Sequence, residues 1–136
     1  MKSGQTKVVI FIFLNGKKIL IEKRVLNKFE GLQFLIPGGI VEELEGVEDA
    51  LKREIKEELG ITVLEFIPIP SSNIKGLNNQ LLIPFLINKW EGNLPNVILD
   101  KGNPLEWLPI NEVLKTPVKP TLEIVTALKK YLSKKP

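Results

Sequence analysis

The chain has 136 residues, 19 basic and 16 acidic, a net charge of +3, and neither cysteine nor histidine. One domain over residues 1–136 suits that length, disulfides and thiol catalysis are excluded, and so is a zinc site of the usual nitrogen and sulfur ligands. Hydrophobic content of 43% beside 26% charged residues fits a globular protein; no apolar run reaches the roughly 18 residues of a membrane span, and basic residues spread along the whole chain do not mark a nucleic-acid groove.

In chain order, Met1 to Lys7 leads directly into an apolar run with no signal-peptide pattern, so a cytoplasmic protein is expected. Val8 to Leu14 and Ile19 to Arg24 read as the two strands of a hairpin closed at Asn15-Gly16. A polar loop follows over 25–33, then a short strand from Phe34 to Ile36, and Pro37-Gly38-Gly39 is expected to make a tight bend with bared backbone. Val47 to Leu59 suits a helix stopped by Gly60, and Ile61 to Ile69 a strand whose Pro68 and Pro70 suggest a sheet edge. Ser71 to Asn79 reads as a loop, Gln80 to Trp90 as a long strand interrupted by Pro84, and Gly92 to Pro104 as another loop. Trp107 to Ile110 forms a last strand, Asn111 to Leu114 a helical turn, and Thr121 to Leu132 an amphipathic helix. Lys129, Lys130, Lys134 and Lys135 give its end a solvated basic face. Strands outnumbering separated helices make the class α+β, with a mixed sheet between helices.

The chemistry concentrates in the helix from Val47 to Leu59. At about 100° per residue, Leu51, Ile55 and Leu59 form its apolar stripe, and Lys52, Lys56, Asp49 and Arg53 take the wetter side. Glu54, Glu57 and Glu58, three and four residues apart, share the arc between, bordering the buried face. Like charges so placed cost a helix roughly 0.2–0.5 kcal/mol per pair, a penalty that a dication removes. Carboxylate oxygens on a partly open surface favour Mg²⁺ or Mn²⁺.

From Gly39 to Ile61 the chain carries Gly, five residues, Glu45, seven residues, then Arg53-Glu54-Ile55-x-Glu57-Glu58-x-Gly60-Ile61. This segment resembles the Nudix box of the Nudix hydrolase family at all of its fixed positions; a chance match in so short a chain is on the order of 10⁻⁷. Phe34-Leu35-Ile36-Pro37-Gly38-Gly39 is similar to the family's lead-in to the box, and Glu106-Trp107-Leu108-Pro109-Ile110 to its tryptophan strand. Trp90-Glu91-Gly92 and Glu106-Trp107 are spaced as in the MutT-like branch, whereas Lys119-Pro120-Thr121-Leu122 stands where MutT-type guanine readers carry an asparagine.

The resemblance implies an α/β/α sandwich and divalent-metal-dependent hydrolysis of a diphosphate linkage in a nucleoside diphosphate derivative, foremost a nucleoside triphosphate giving monophosphate and pyrophosphate. It also implies roles. Glu57 and Glu58 become principal metal ligands, Glu54 a further ligand or the base, and the Gly39 carbonyl a backbone ligand. Arg53 holds Glu45 and so orients the acids. Asp100, with Glu91 behind it, is the candidate ligand from a later loop; Arg24 is the candidate phosphate contact, and Phe34 and Trp107 candidates to sandwich a base. Hydrolysis of ADP-ribose or of a dinucleoside polyphosphate, a non-catalytic nucleotide-binding domain, and a homodimeric state stay open. An isopentenyl diphosphate isomerase is disfavoured, since the best-known ones use a cysteine.

Overall fold

The computed structural model describes residues 4–27, 31–71, 73–94 and 104–134, with side chains described for all of these except 25–27, 31 and 32. β1 (Thr6–Asn15) and β2 (Lys18–Asn27) form the expected hairpin, pairing Leu14 with Ile19 and Asn15 with Lys18. Gly16 takes the left-handed φ of 65° that this tight turn needs. β3 (Gly31–Leu35) pairs antiparallel with β2, and β4 (Gly38–Ile40) antiparallel with β1. After α1 (Val47–Leu59) come β5 (Thr62–Pro68), the two-residue β6 (Ile74–Lys75) and β7 (Gln80–Glu91). β8 (Leu105–Pro109), α2 (Ile110–Val113) and α3 (Lys119–Ser133) complete the described chain.

The sheet runs β3-β2-β1-β7-β5, with β4 added on β1, β6 on β7 and β8 on β2. It is mixed: β1 and β7 are parallel from Thr6 and Gln80 to Phe13 and Ile87, and the other ladders are antiparallel. A central strand covered on both faces must be apolar throughout, and Val8 to Phe13 are all buried. Their alternation sorts them. Val8, Ile10 and Ile12 pack with Ile124, Val125 and Leu128 of α3, while Val9, Phe11 and Phe13 pack with Ala50, Leu51, Ile55 and Leu59 of α1. The result is the α/β/α arrangement. α3 is tied to the sheet through β3: the Thr121 hydroxyl donates to the Phe34 carbonyl at 3.0 Å, and the Phe34 amide donates to Thr116 Oγ1 at 3.4 Å.

Four local expectations change. The polar loop expected over 25–33 is strand at 25–27 and 31–33, because β2 and β3 pair there, Val25 with Leu32 and Asn27 with Gly31. Gly38 and Gly39 do not bend sharply but run as strand β4, because β1 offers a ladder that takes Gly38 against Ile10 and Gly39 against Val9. A side chain at Gly38 would stand 2.5 Å from the Val9 carbonyl oxygen, so glycine is required for that approach. Pro84 does not interrupt β7. It falls where β7 changes neighbours from β6, paired at Leu81 and Leu82, to β5, paired from Phe85 onward, so its missing N–H lies at a seam, and its carbonyl still accepts from the Ile69 amide at 3.0 Å. Within the loop expected over Ser71 to Asn79, Ile74 and Lys75 pair as β6, with Ile74 buried.

Candidate active site

The loop from β4 to α1 and the exposed side of α1 meet at one guanidinium. Arg53 donates through Nε to Glu45 Oε2 at 2.7 Å and through Nη2 to Glu45 Oε1 at 2.8 Å, a two-pronged grip across eight residues. Its Nη2 also donates to the Ile40 carbonyl at 3.1 Å, and its Nη1 to Glu54 Oε2 at 3.0 Å and Glu57 Oε1 at 3.1 Å. Arg53 was expected on the wetter side of the helix. Its side chain is only 23% exposed, because the acids of loop and helix fold around it.

Local sequence shapes the loop to suit. Glu42 and Glu45 close a turn in which the Glu45 amide donates to the Glu42 carbonyl and the Glu42 amide to Glu45 Oε1, both at 3.0 Å. Leu44 occupies the left-handed region with φ 67° and leaves its side chain fully in solvent, so the turn is held against backbone strain of about 1 kcal/mol. α1 then begins, with Gly46 as its N-cap residue and Glu48 and Asp49 in the first turn, and it ends at Gly60 with φ 69°.

The acids occupy different environments. The Glu54 side chain is 15% exposed and that of Glu57 58%, while Glu58 is partly buried. Glu54 lies against the backbone of β4: a Cβ placed on Gly39 would collide with its carboxylate. Glycine there lets backbone and carboxylate meet with nothing between them, which is the cradle an oxygen-liganded cation needs. Among the described residues no three acids close into a ready-made cation cage, and Arg53 bonds two of the three helix glutamates. The carboxylates gathered here are oxygen donors, and so fit a hard divalent ion. The hydrogen bonds from Arg53, aided by the backbone amide of Glu42, lower the Glu45 pKa from 4.5 to about 2. In return, the bonds to Glu45 and then Glu54 hold the Arg53 guanidinium protonated beyond its ordinary range, against the desolvation that opposes it.

Arg24 lies on β2 with its Nη2 2.7 Å from Glu22 Oε2. Phe34 and Trp107 are not brought together. Phe34 packs against the α3-side cluster and Trp107 against the α1-side cluster, so no base can lie between them; the sheet's alternation puts them on opposite faces. The ring beside Trp107 is Trp90, stacked at 6.5 Å between centroids with 24° between planes. Asp100 lies outside the described residues, and Glu91 is an exposed residue ending β7. Glu22 was not singled out from sequence. It is a buried acid, 5% exposed, and its signal was available: an acid at the inward position that continues the alternation of Leu20.

Two outcomes test this geometry. Gly39→Ala pushes a methyl group into the Glu54 carboxylate and is expected to lower kcat by about a hundredfold, as misplacement by about 1 Å does elsewhere, with circular dichroism still reporting the folded chain. Glu45 has a depressed pKa in the folded state, so the stability it adds is complete above pH 4.5 and lost as pH falls toward about 2. Melting temperatures of wild type and Glu45→Gln should therefore differ by a steady amount above about pH 5 and converge on acidification below pH 4.5.

Known proteins supply the remaining context. The family model described as NUDIX domain matches residues 4–128. An 8-oxo-dGTP diphosphatase of Buchnera aphidicola is 36% identical over 90 residues, covering 65% of this chain and 68% of that protein; the protein of the same name from Escherichia coli is 30% identical over 109 residues, covering 79% and 81%. An ADP-ribose pyrophosphatase of Methanocaldococcus jannaschii is 57% identical over 50 residues, covering 37% of this chain and 29% of that protein. Among solved structures, the Escherichia coli ORF135 protein superposes with a TM-score of 0.78 at 24% identity, over 97% of this chain and 94% of that one. A MutT structure from a study of the Aliivibrio salmonicida and Vibrio cholerae proteins gives 0.68 at 25% identity, over 91% and 98%. With the family model covering nearly the whole chain and the box folded around Arg53, the chain belongs to the Nudix family.

Proposed function

We propose that this Nudix hydrolase of nucleotide derivatives is a Mg²⁺- or Mn²⁺-dependent pyrophosphohydrolase that cuts a nucleoside triphosphate to the monophosphate and pyrophosphate. The observation that carries the reading is the Arg53 clasp, which sets Glu54 against the backbone of Gly39, with Glu57 exposed and Glu58 partly buried on the same arc of α1. The Gly39 carbonyl, Glu54, Glu57 and Glu58 would hold the ion. When bound, it neutralises the diphosphate and lowers the pKa of the attacking water.

The chain's own residues do the rest. Arg53 fixes the carboxylates, and its permanent charge offsets theirs when no substrate is present. Glu54, sheltered and held by one hydrogen bond from Nη1, is the acid best placed to serve as ligand or to take the proton from water. Glu57, mostly in solvent, can turn toward a ligand at little cost. Arg24 meets the substrate's phosphates.

Two of the relatives are named for 8-oxo-dGTP, which supports a purine nucleoside triphosphate, although Lys119-Pro120-Thr121-Leu122 at the head of α3 stands where guanine readers carry an asparagine. The Methanocaldococcus jannaschii relative favours ADP-ribose as a second reading, through a short stretch of high identity. A panel of ordinary and oxidised nucleoside triphosphates, ADP-ribose and dinucleoside polyphosphates, assayed with Mg²⁺ and with chelator, tests both. Turnover of a triphosphate that falls by about two to three orders of magnitude in Glu57→Gln and Glu58→Gln supports the proposal, while full activity in both variants, or with chelator, contradicts it.

A further inference from the structure

Two buried polar features on β2 lie outside the Nudix box. Glu22 follows three fully buried apolar residues, Ile19, Leu20 and Ile21, and is itself buried. By alternation it shares the face of Leu20, which packs in the α1-side cluster, and so does Arg24. Across the ladders Glu22 sits opposite Leu35 on one side and Leu105 on the other, and Arg24 opposite Gln33, which is also buried. The pair therefore stands on the α1 side of the sheet, and β3, which faces Glu22 at Leu35, leads within three residues into β4 and its Gly39.

A carboxylate buried in an apolar sheet is costly unless paired. Glu22 takes a charge-assisted hydrogen bond from Arg24 Nη2 at 2.7 Å, with its side chain 6% exposed against 32% for the arginine. The arginine is not completed by this bond. Its Nε is buried and has no acceptor among the described residues, an arrangement rare enough in native proteins to call for an explanation. A guanidinium anchored at one edge, a third exposed, and short of an acceptor is set to receive an anionic oxygen.

We infer that Glu22 is a positioning residue: its buried carboxylate anchors the Arg24 guanidinium so that the remaining donors meet a phosphate oxygen of the substrate. This rests on the polyphosphate reading above and adds to it a residue that no box position contains. Glu22 acts only through Arg24. Its removal should therefore weaken substrate binding without further effect once Arg24 is gone.

The test is a cycle of Glu22→Gln, Arg24→Gln and the double variant, with Glu22→Asp as the charge-retaining control. Steady-state kinetics are read on dGTP, 8-oxo-dGTP and ADP-ribose, alongside the melting-temperature shift given by inorganic tripolyphosphate with Mg²⁺. Arg24→Gln is expected to raise KM about tenfold, Glu22→Gln to raise it by a similar factor with a smaller loss of kcat, and the double variant to match Arg24→Gln alone. Glu22→Asp should lie nearer wild type than Glu22→Gln. An unchanged KM in Glu22→Gln, or effects that multiply in the double variant, overturns the inference. Should Glu22→Gln not fold, Arg24→Gln decides it, since Glu22 acts only through Arg24: a KM and a tripolyphosphate shift equal to those of wild type in Arg24→Gln would overturn the inference. If wild type turns over none of the three substrates, the functional reading fails alone. The tripolyphosphate shift, smaller in Glu22→Gln than in wild type, then still decides the role of Glu22.

Discussion

The grip of Arg53 on Glu45 is the constraint on which the rest of the site depends. Its two parallel hydrogen bonds tie the loop after β4 to the middle of α1, and the same guanidinium reaches the Ile40 carbonyl, Glu54 and Glu57. One planar cation thereby fixes a strand end, a turn and a helix in a common frame. A lysine could supply the charge but not the fork. The frame also makes four clustered acids tolerable before any dication arrives, since Glu42, Glu45, Glu54 and Glu57 all lie within 4 Å of its nitrogens.

The frame needs a floor, and the sheet provides it. β1 is apolar on both faces, so α1 and α3 can cover it from opposite sides, and β4 joins the same strand by its glycines. Because Gly39 carries no side chain, α1 can bring Glu54 onto the strand's backbone. Packing between Ala50, Leu51, Ile55, Leu59 and the sheet therefore determines where the carboxylates lie as well as contributing to stability. The strain at Leu44 belongs to this scheme: the turn is held by its hydrogen bonds and by Arg53, not by local backbone preference.

Much of this was legible in the residues themselves. The bounds of α1, its left-handed stop at Gly60 and the hairpin at Asn15-Gly16 follow from local chemistry, and the structure places them where the residues indicate. The pairing of Arg53 with Glu45 was expected only through the family resemblance, since nothing local says which loop acid will reach an arginine eight positions on. What local reading missed depends on neighbours far along the chain. Gly38 and Gly39 became a strand because β1 was there to pair with them, and Pro84 was tolerated because two partner strands meet at its position. Phe34 and Trp107 were separated by sheet faces, which cannot be assigned until the register of β2 with β3 and β8 is known. Glu22 was overlooked for a related reason: alternation puts it on the face of Leu20, but that this face is buried at Glu22 depends on β3 and β8 lying on either side.

The hold of Arg53 on Glu45, Glu54 and Glu57 is tested most directly by Arg53→Lys, with kcat measured on the best nucleotide substrate at saturating Mg²⁺ and folding followed by circular dichroism. The charge is kept and the fork is lost. The structure predicts a fall in kcat of about a hundredfold or more in a chain that remains folded; a lysine variant with wild-type kcat would contradict it.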